Sequence, residues 1–132
     1  MKTLLKITFL FLIISNISFA QKGTPLFSIC GKTGNCTMTW EEFSKCKKVL
    51  VPTDKKITIG TFLVTVQKAE RKDSTYIEFQ EKGGLFSKSS LEVIEKLHKD
   101  KKLGNKIVIE AVEILQSGQP ARKGAGMVIT LN

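Results

Sequence analysis

Ile57-Thr58-Ile59-Gly60-Thr61-Phe62-Leu63-Val64-Thr65-Val66 decides the fold class of this chain. Seven of these ten residues are β-branched, which stiffens χ1 and favours extended backbone over helix. Apolar groups fall on both faces of the strand they predict. Ile57, Ile59 and Leu63 lie on one face, and Phe62, Val64 and Val66 on the other. A strand apolar on both sides belongs inside a sheet.

Downstream, Ser74 to Gln80 alternates cleanly, with Ile77 and Phe79 opposite Tyr76 and Glu78. A hairpin through the charged loop Glu70-Arg71-Lys72-Asp73 is the simplest link to the first strand, and Gly83-Gly84 ends the pattern. Asn105 to Ile114 reads as another strand, with Ile107, Ile109 and Ala111 on one side and Val108, Val112 and Ile114 on the other. Ser117-Gly118-Gln119-Pro120 is a turn, and Met127, Ile129 and Leu131 mark a last strand. Upstream, Leu26 to Cys30 is a short apolar strand, and the apolar run Val49 to Val51 stops at Pro52.

Two helices interrupt the strands. Thr39-Trp40-Glu41-Glu42 matches a capping box, with Met38 and Phe43 placed to staple it, and a short helix follows to about Cys46. Ser89-Ser90-Leu91-Glu92 matches a second box. Leu91, Val93, Ile94 and Leu97 then recur at helical spacing to about Lys99. Five to seven strands without βαβ alternation predict a mainly β fold, an antiparallel β-sandwich with one or two short helices.

The 132 residues allow one domain. The first twenty, MKTLLKITFLFLIISNISFA, read as a cleaved signal peptide: Lys2 and Lys6 precede an apolar run, with small residues Ser18 and Ala20 before the cut. That run is shorter than the roughly 20 residues a bilayer span needs. Cleavage leaves 112 residues from Gln21, a single domain over 21–132 with no transmembrane segment, expected in the periplasm or outside the cell. The whole chain carries 21 Lys and Arg against 12 Asp and Glu, or +9; losing Lys2 and Lys6 makes it +7.

Export permits disulfides, and Cys30, Cys36 and Cys46 lie within 17 residues. Three single pairings are open, as is a fully reduced state. Geometry favours Cys30–Cys36, because Gly31-Lys32-Thr33-Gly34-Asn35 would join two strands and set those cysteines face to face. Cys46, three residues after Phe43, would then be a buried thiol.

Chemistry-bearing constellations are sparse. His98 is the only imidazole and borders the apolar stripe of the second helix; a Cys–His dyad there has no motif behind it. Glu110 and Glu113 are three apart on the expected strand and point to opposite faces. No C-x-x-C, P-loop, G-x-G-x-x-G, G-x-S-x-G or EF-hand pattern occurs. No catalytic residue, cofactor or metal ligand is therefore expected, and the chain reads as a non-enzyme. Lysines cluster at Lys45, Lys47 and Lys48, at Lys55 and Lys56, at Lys99, Lys101, Lys102 and Lys106, and with Arg122 at Lys123. An exported chain is not expected to meet nucleic acid. Lys99, Lys101, Lys102, Arg122 and Lys123, with the last strand, are the expected interaction surface.

From Gly31-Lys32-Thr33-Gly34 onward the chain resembles a known family. The carriers are those four residues, the Thr-initiated helix, Ile59 to Val66, Gly84-Leu85-Phe86-Ser87, Leu103 to Val112, Arg122-Lys123 and the terminal strand. Their order is similar to that of the last periplasmic domain of the gliding-motility protein family GldM, also called PorM, over about residues 29–131. The resemblance implies an immunoglobulin-like domain that meets another envelope protein, since the family's terminal domain meets a periplasmic ring of the type IX secretion machinery. Asn105 stands where the family usually has Asp, and Ser117-Gly118-Gln119-Pro120 replaces its Gly-Pro-Asp-Gly turn. The expected function is an exported binding module of the envelope. The alternatives are a cationic binder of anionic envelope polymers or lipids, and an enzyme of unknown type.

Overall fold

The computed structural model describes residues 23–69 and 75–132. The expected leader, residues 1–20, and the loop Glu70-Arg71-Lys72-Asp73 lie outside the described residues. The chain runs β1 (Phe27–Ser28), β2 (Cys36–Met38), α1 (Trp40–Lys45), β3 (Val51–Pro52), β4 (Ile57–Ile59), β5 (Thr61–Lys68), β6 (Tyr76–Lys82), α2 (Lys88–Lys99), β7 (Leu103–Glu110), β8 (Val112–Gln116), β9 (Arg122–Gly124) and β10 (Met127–Leu131). Over the described residues it is a mainly β, sandwich-like fold with two helices.

A five-stranded sheet has the order β2-β10-β7-β5-β6, a three-stranded sheet β4-β8-β9, and β1 pairs β3 in a small ribbon. Among the described residues every strand pair is antiparallel except the edge pair β2–β10, where Ile129 faces Cys36 and Leu131 faces Met38 in parallel. The expected antiparallel pairing of β5 with β6 is present, with Gln67 facing Tyr76 and Val64 facing Phe79. The core comes from both sheets: Phe62, Val64, Ile107 and Ile129 on the large one, Ile59 and Ile114 on the small one, with Phe43 and Ile94 from the helices.

The two longest predicted strands are each cut in two. Ile57 to Val66 breaks at Gly60, and Asn105 to Ile114 breaks at Ala111, whose φ is +50°. The two breaks form one corner. Ile59 faces Ile114 before it, Leu63 faces Glu110 after it, and no residue is gained or lost between. The Gly60 N–H donates to the Glu113 carbonyl at 2.8 Å, so the ladder continues through the bend. A single two-stranded ribbon thus passes from the small sheet into the large one. The bend also reverses side-chain parity. Odd positions Ile57 and Ile59 are buried before Gly60, and even positions Phe62, Val64 and Val66 after it. What reads as one strand apolar on both faces is two strands with one buried face each. Glu110 and Glu113 consequently sit on separate strands: Glu110 Oε1 accepts from the Thr65 hydroxyl at 3.2 Å and Glu113 Oε1 from the Thr61 N–H at 3.4 Å.

The cysteine pairing is corrected. Cys30 is bonded to Cys46, with Cα atoms 5.2 Å apart, and Cys36 is the free thiol. The predicted Cys30–Cys36 bridge assumed a five-residue turn. The turn found is two residues, Cys30 and Gly31, both with positive φ (+53° and +74°), closed by reciprocal Ile29–Lys32 backbone bonds. That places Cys30 at the tip of a type I′-like turn, not on a strand facing Cys36. The nearby end of α1 supplies Cys46 instead. Burial pushes the Cys36 thiol up, against the opposing pull of Lys32, which leaves it a sluggish nucleophile at neutral pH.

Helix α2 starts two residues before the predicted box. Ser87 is the N-cap, accepting from the Ser90 N–H. The choice among Ser87, Ser89 and Ser90 is tertiary. Glu81 lies opposite Phe62, buried, and takes a hydrogen bond from the Ser87 hydroxyl at 3.0 Å. A carboxylate there also favours the positive end of the α2 dipole. Among the described residues no helix is long and apolar enough to cross a membrane.

Candidate functional site

The N-terminus of α1 is built as the sequence predicts. Thr39 Oγ1 accepts from the Glu42 N–H at 3.1 Å, and the Glu42 carboxylate accepts from the Thr39 N–H at 2.8 Å. Met38 and Phe43 are both buried at the staple positions. The end of β10 is tied in as well, since the Asn132 N–H donates to the Met38 carbonyl at 3.0 Å. Together these contacts fix Trp40, the first residue of the helix. Thr39→Ala is expected to cost about 1 kcal/mol, the usual worth of such a cap; urea unfolding followed by Trp40 emission measures it.

On α2, Leu91, Ile94 and His98 share one stripe, with Ile94 fully buried. The two helices meet where the chain's single Trp and single His stack. The Trp40 and His98 ring centroids are 3.8 Å apart and the planes differ by 20°, while Phe43 leans on Trp40 at 5.6 Å. A cleft of about 480 Å³ opens on one side of this stack, with an apolar floor of Trp40, Phe43, Leu91 and Ile94. A second hollow of about 390 Å³ lies on the other side, against Leu103, Leu131, Asn105 and Asn132. Trp40 and His98 line both.

The charged rim of the larger cleft is Lys48, Glu95 and Lys99. Glu95 and Lys99 neutralise each other at 3.1 Å in an exposed pair that adds little to stability. The Lys48 ammonium donates to the carbonyls of Ser44 (2.9 Å) and Cys46 (3.0 Å), capping α1, and lies 4.9 Å from the centre of the Phe43 ring. Burial lowers its pKa.

The residues predicted as an interaction surface fall into two groups. Lys99, Lys101 and Lys102 are exposed at the end of α2, where Lys99 borders the cleft and Lys101 takes a left-handed φ of +54°. Arg122 and Lys123 are exposed on β9, the edge of the three-stranded sheet, reaching Gln116 and Gln119 and the Ala111 carbonyl respectively, each at 3.4 Å. The last strand, β10, is not an edge: it lies between β2 and β7. No cysteine lines either hollow beside His98. Among the described residues no group of three or more His, Cys, Asp or Glu is placed to hold a metal ion.

Trp40 and Lys48 were missed as site residues. Their local roles, first residue of a capped helix and cation at its end, were legible; their meeting with α2 was not. Comparison with known proteins gave no matching family model, no matching curated protein and no matching solved structure.

Proposed function

We propose that the chain is an exported, non-enzymatic interaction module that docks part of another envelope protein at the helical end of its sandwich. The observation that carries this reading is the Trp40–His98 stack standing between two open hollows. Trp is among the residues that most often anchor protein interfaces, because one rigid side chain buries much area at little entropic cost. The rigid capping of α1 supports the same reading, since an anchor held in place pays less to bind.

Immobilised mature chain is expected to retain an envelope protein that Trp40→Ala fails to retain, with circular dichroism showing the variant folded. Equal capture by both would remove the cleft from the reading, and no capture by either would overturn it. The second reading, a binder of anionic polymers or lipids, draws on the exposed lysines ending α2. It predicts binding that falls steeply with salt and is indifferent to Trp40.

A further inference from the structure

We propose that the cleft takes an acidic peptide segment, with an apolar side chain lying on the Trp40–Phe43–Leu91–Ile94 floor and a carboxylate set on the Lys48 ammonium. This rests on the reading of the cleft as a protein-docking site and names what is docked.

Charge complementarity carries it. An ammonium has three N–H donors. Two of those of Lys48 are committed to the Ser44 and Cys46 carbonyls, which fixes the group and leaves one for an incoming oxygen. Among the described residues no carboxylate lies within ion-pair distance of Lys48, whereas Lys45 and Lys99 each have one. The one acid on the rim, Glu95, is already neutralised by Lys99. The mouth of an apolar cleft therefore holds one partly desolvated cation with no counter-charge. A carboxylate supplies that charge, and an apolar neighbour fills the space behind it. The overall excess of Lys and Arg over Asp and Glu steers an acidic segment in the same direction.

The twin hollow favours a peptide over an acyl chain. Alternate residues of an extended peptide are about 6.6 Å apart on one face, so two of them can straddle a stacked ring pair. Asn105 and Asn132 also line the second hollow, and amides are suited to peptide groups.

The test titrates the intact mature protein with a blocked peptide Glu-Leu-Asp-Phe-Glu and its neutral counterpart Gln-Leu-Asn-Phe-Gln, following the emission of Trp40, the only tryptophan. The acidic peptide is expected to shift the emission saturably and to bind about tenfold more tightly than the neutral one, the worth of one charge-assisted hydrogen bond. Lys48→Met is expected to abolish that preference. Because Lys48 also caps α1, the variant's unfolding is measured, and the peptide pair on the unaltered protein decides if it does not fold. Equal binding of the two peptides, no response to either, or a preference that survives Lys48→Met would overturn the proposal. So would a Trp40 response to phosphatidylglycerol vesicles but not to the acidic peptide. Capture of an envelope protein that depends on Trp40, without any acidic preference, would keep the docking reading and remove this one.

Discussion

Replacing Cys46 with serine is expected to lower stability by about 3 kcal/mol, the chain-entropy value for a closed loop of this size. For a domain of this length that is a fall in Tm of roughly 10 °C. The bridge spans 16 positions in sequence, and the loop it closes contains β2 and all of α1. It ties the two-residue turn at Cys30 to the end of the helix that carries Trp40, so the loss should also loosen the cleft and alter Trp40 emission. Cys36→Ser should cost far less, because that thiol is only partly buried and unbridged. Peptide mapping without reductant gives the direct check. A Cys30–Cys46 fragment with alkylated Cys36 is expected, and a Cys30–Cys36 fragment would contradict the pairing.

Gly126→Ala is the second large effect. A β-carbon there would overlap the Ile109 carbonyl and crowd Glu110 Cα at 3.1 Å. Both are backbone atoms of the neighbouring strand, next to the corner at Ala111, and neither can yield without disturbing the Met127–Ile109 pairing. A cost of about 3 kcal/mol is expected, at the upper end for overpacking. Gly118→Ala is the control. Nothing lies within 4 Å of the position and only its φ of +77° resists a side chain, so about 1 kcal/mol of left-handed strain is expected. Urea midpoints of the two variants decide the matter; equal losses would show that close approach at Gly126 is not what demands glycine.

The residues that sequence reasoning placed well share one property: their neighbours in the chain determine them. The alternation of β6, the apolar stripe of α2 and the Thr39 box are local patterns, and each appears where expected. Most of the failures are tertiary, and one is a local turn. Gly60 and Ala111 look like interior strand positions because the apolar pattern runs straight through them; only their mutual pairing turns both into a corner. Ser87 outcompetes Ser89 as N-cap because Glu81 approaches it from β6. The disulfide depended on whether Cys30 lay on a strand or in the turn itself, a matter of two positive φ angles. The cleft was invisible for the same reason, since Trp40 and His98 are 58 positions apart and neither carries a motif announcing the other.

The parallel pairing of β2 with β10 has a consequence for the order of assembly. A chain delivered N-terminus first, from a ribosome or through a membrane pore, presents Cys36 to Met38 long before Met127 to Leu131. Among the described residues β10 is the only strand that β2 joins. Its free edge must therefore wait for the last segment of the domain to emerge. The Cys30–Cys46 bridge joins residues delivered close together and has no such wait. The early part of the domain can thus be clasped covalently while its hydrogen-bonded partner is still in transit, which holds β2 inside a closed loop although its edge stays open to other chains until β10 arrives.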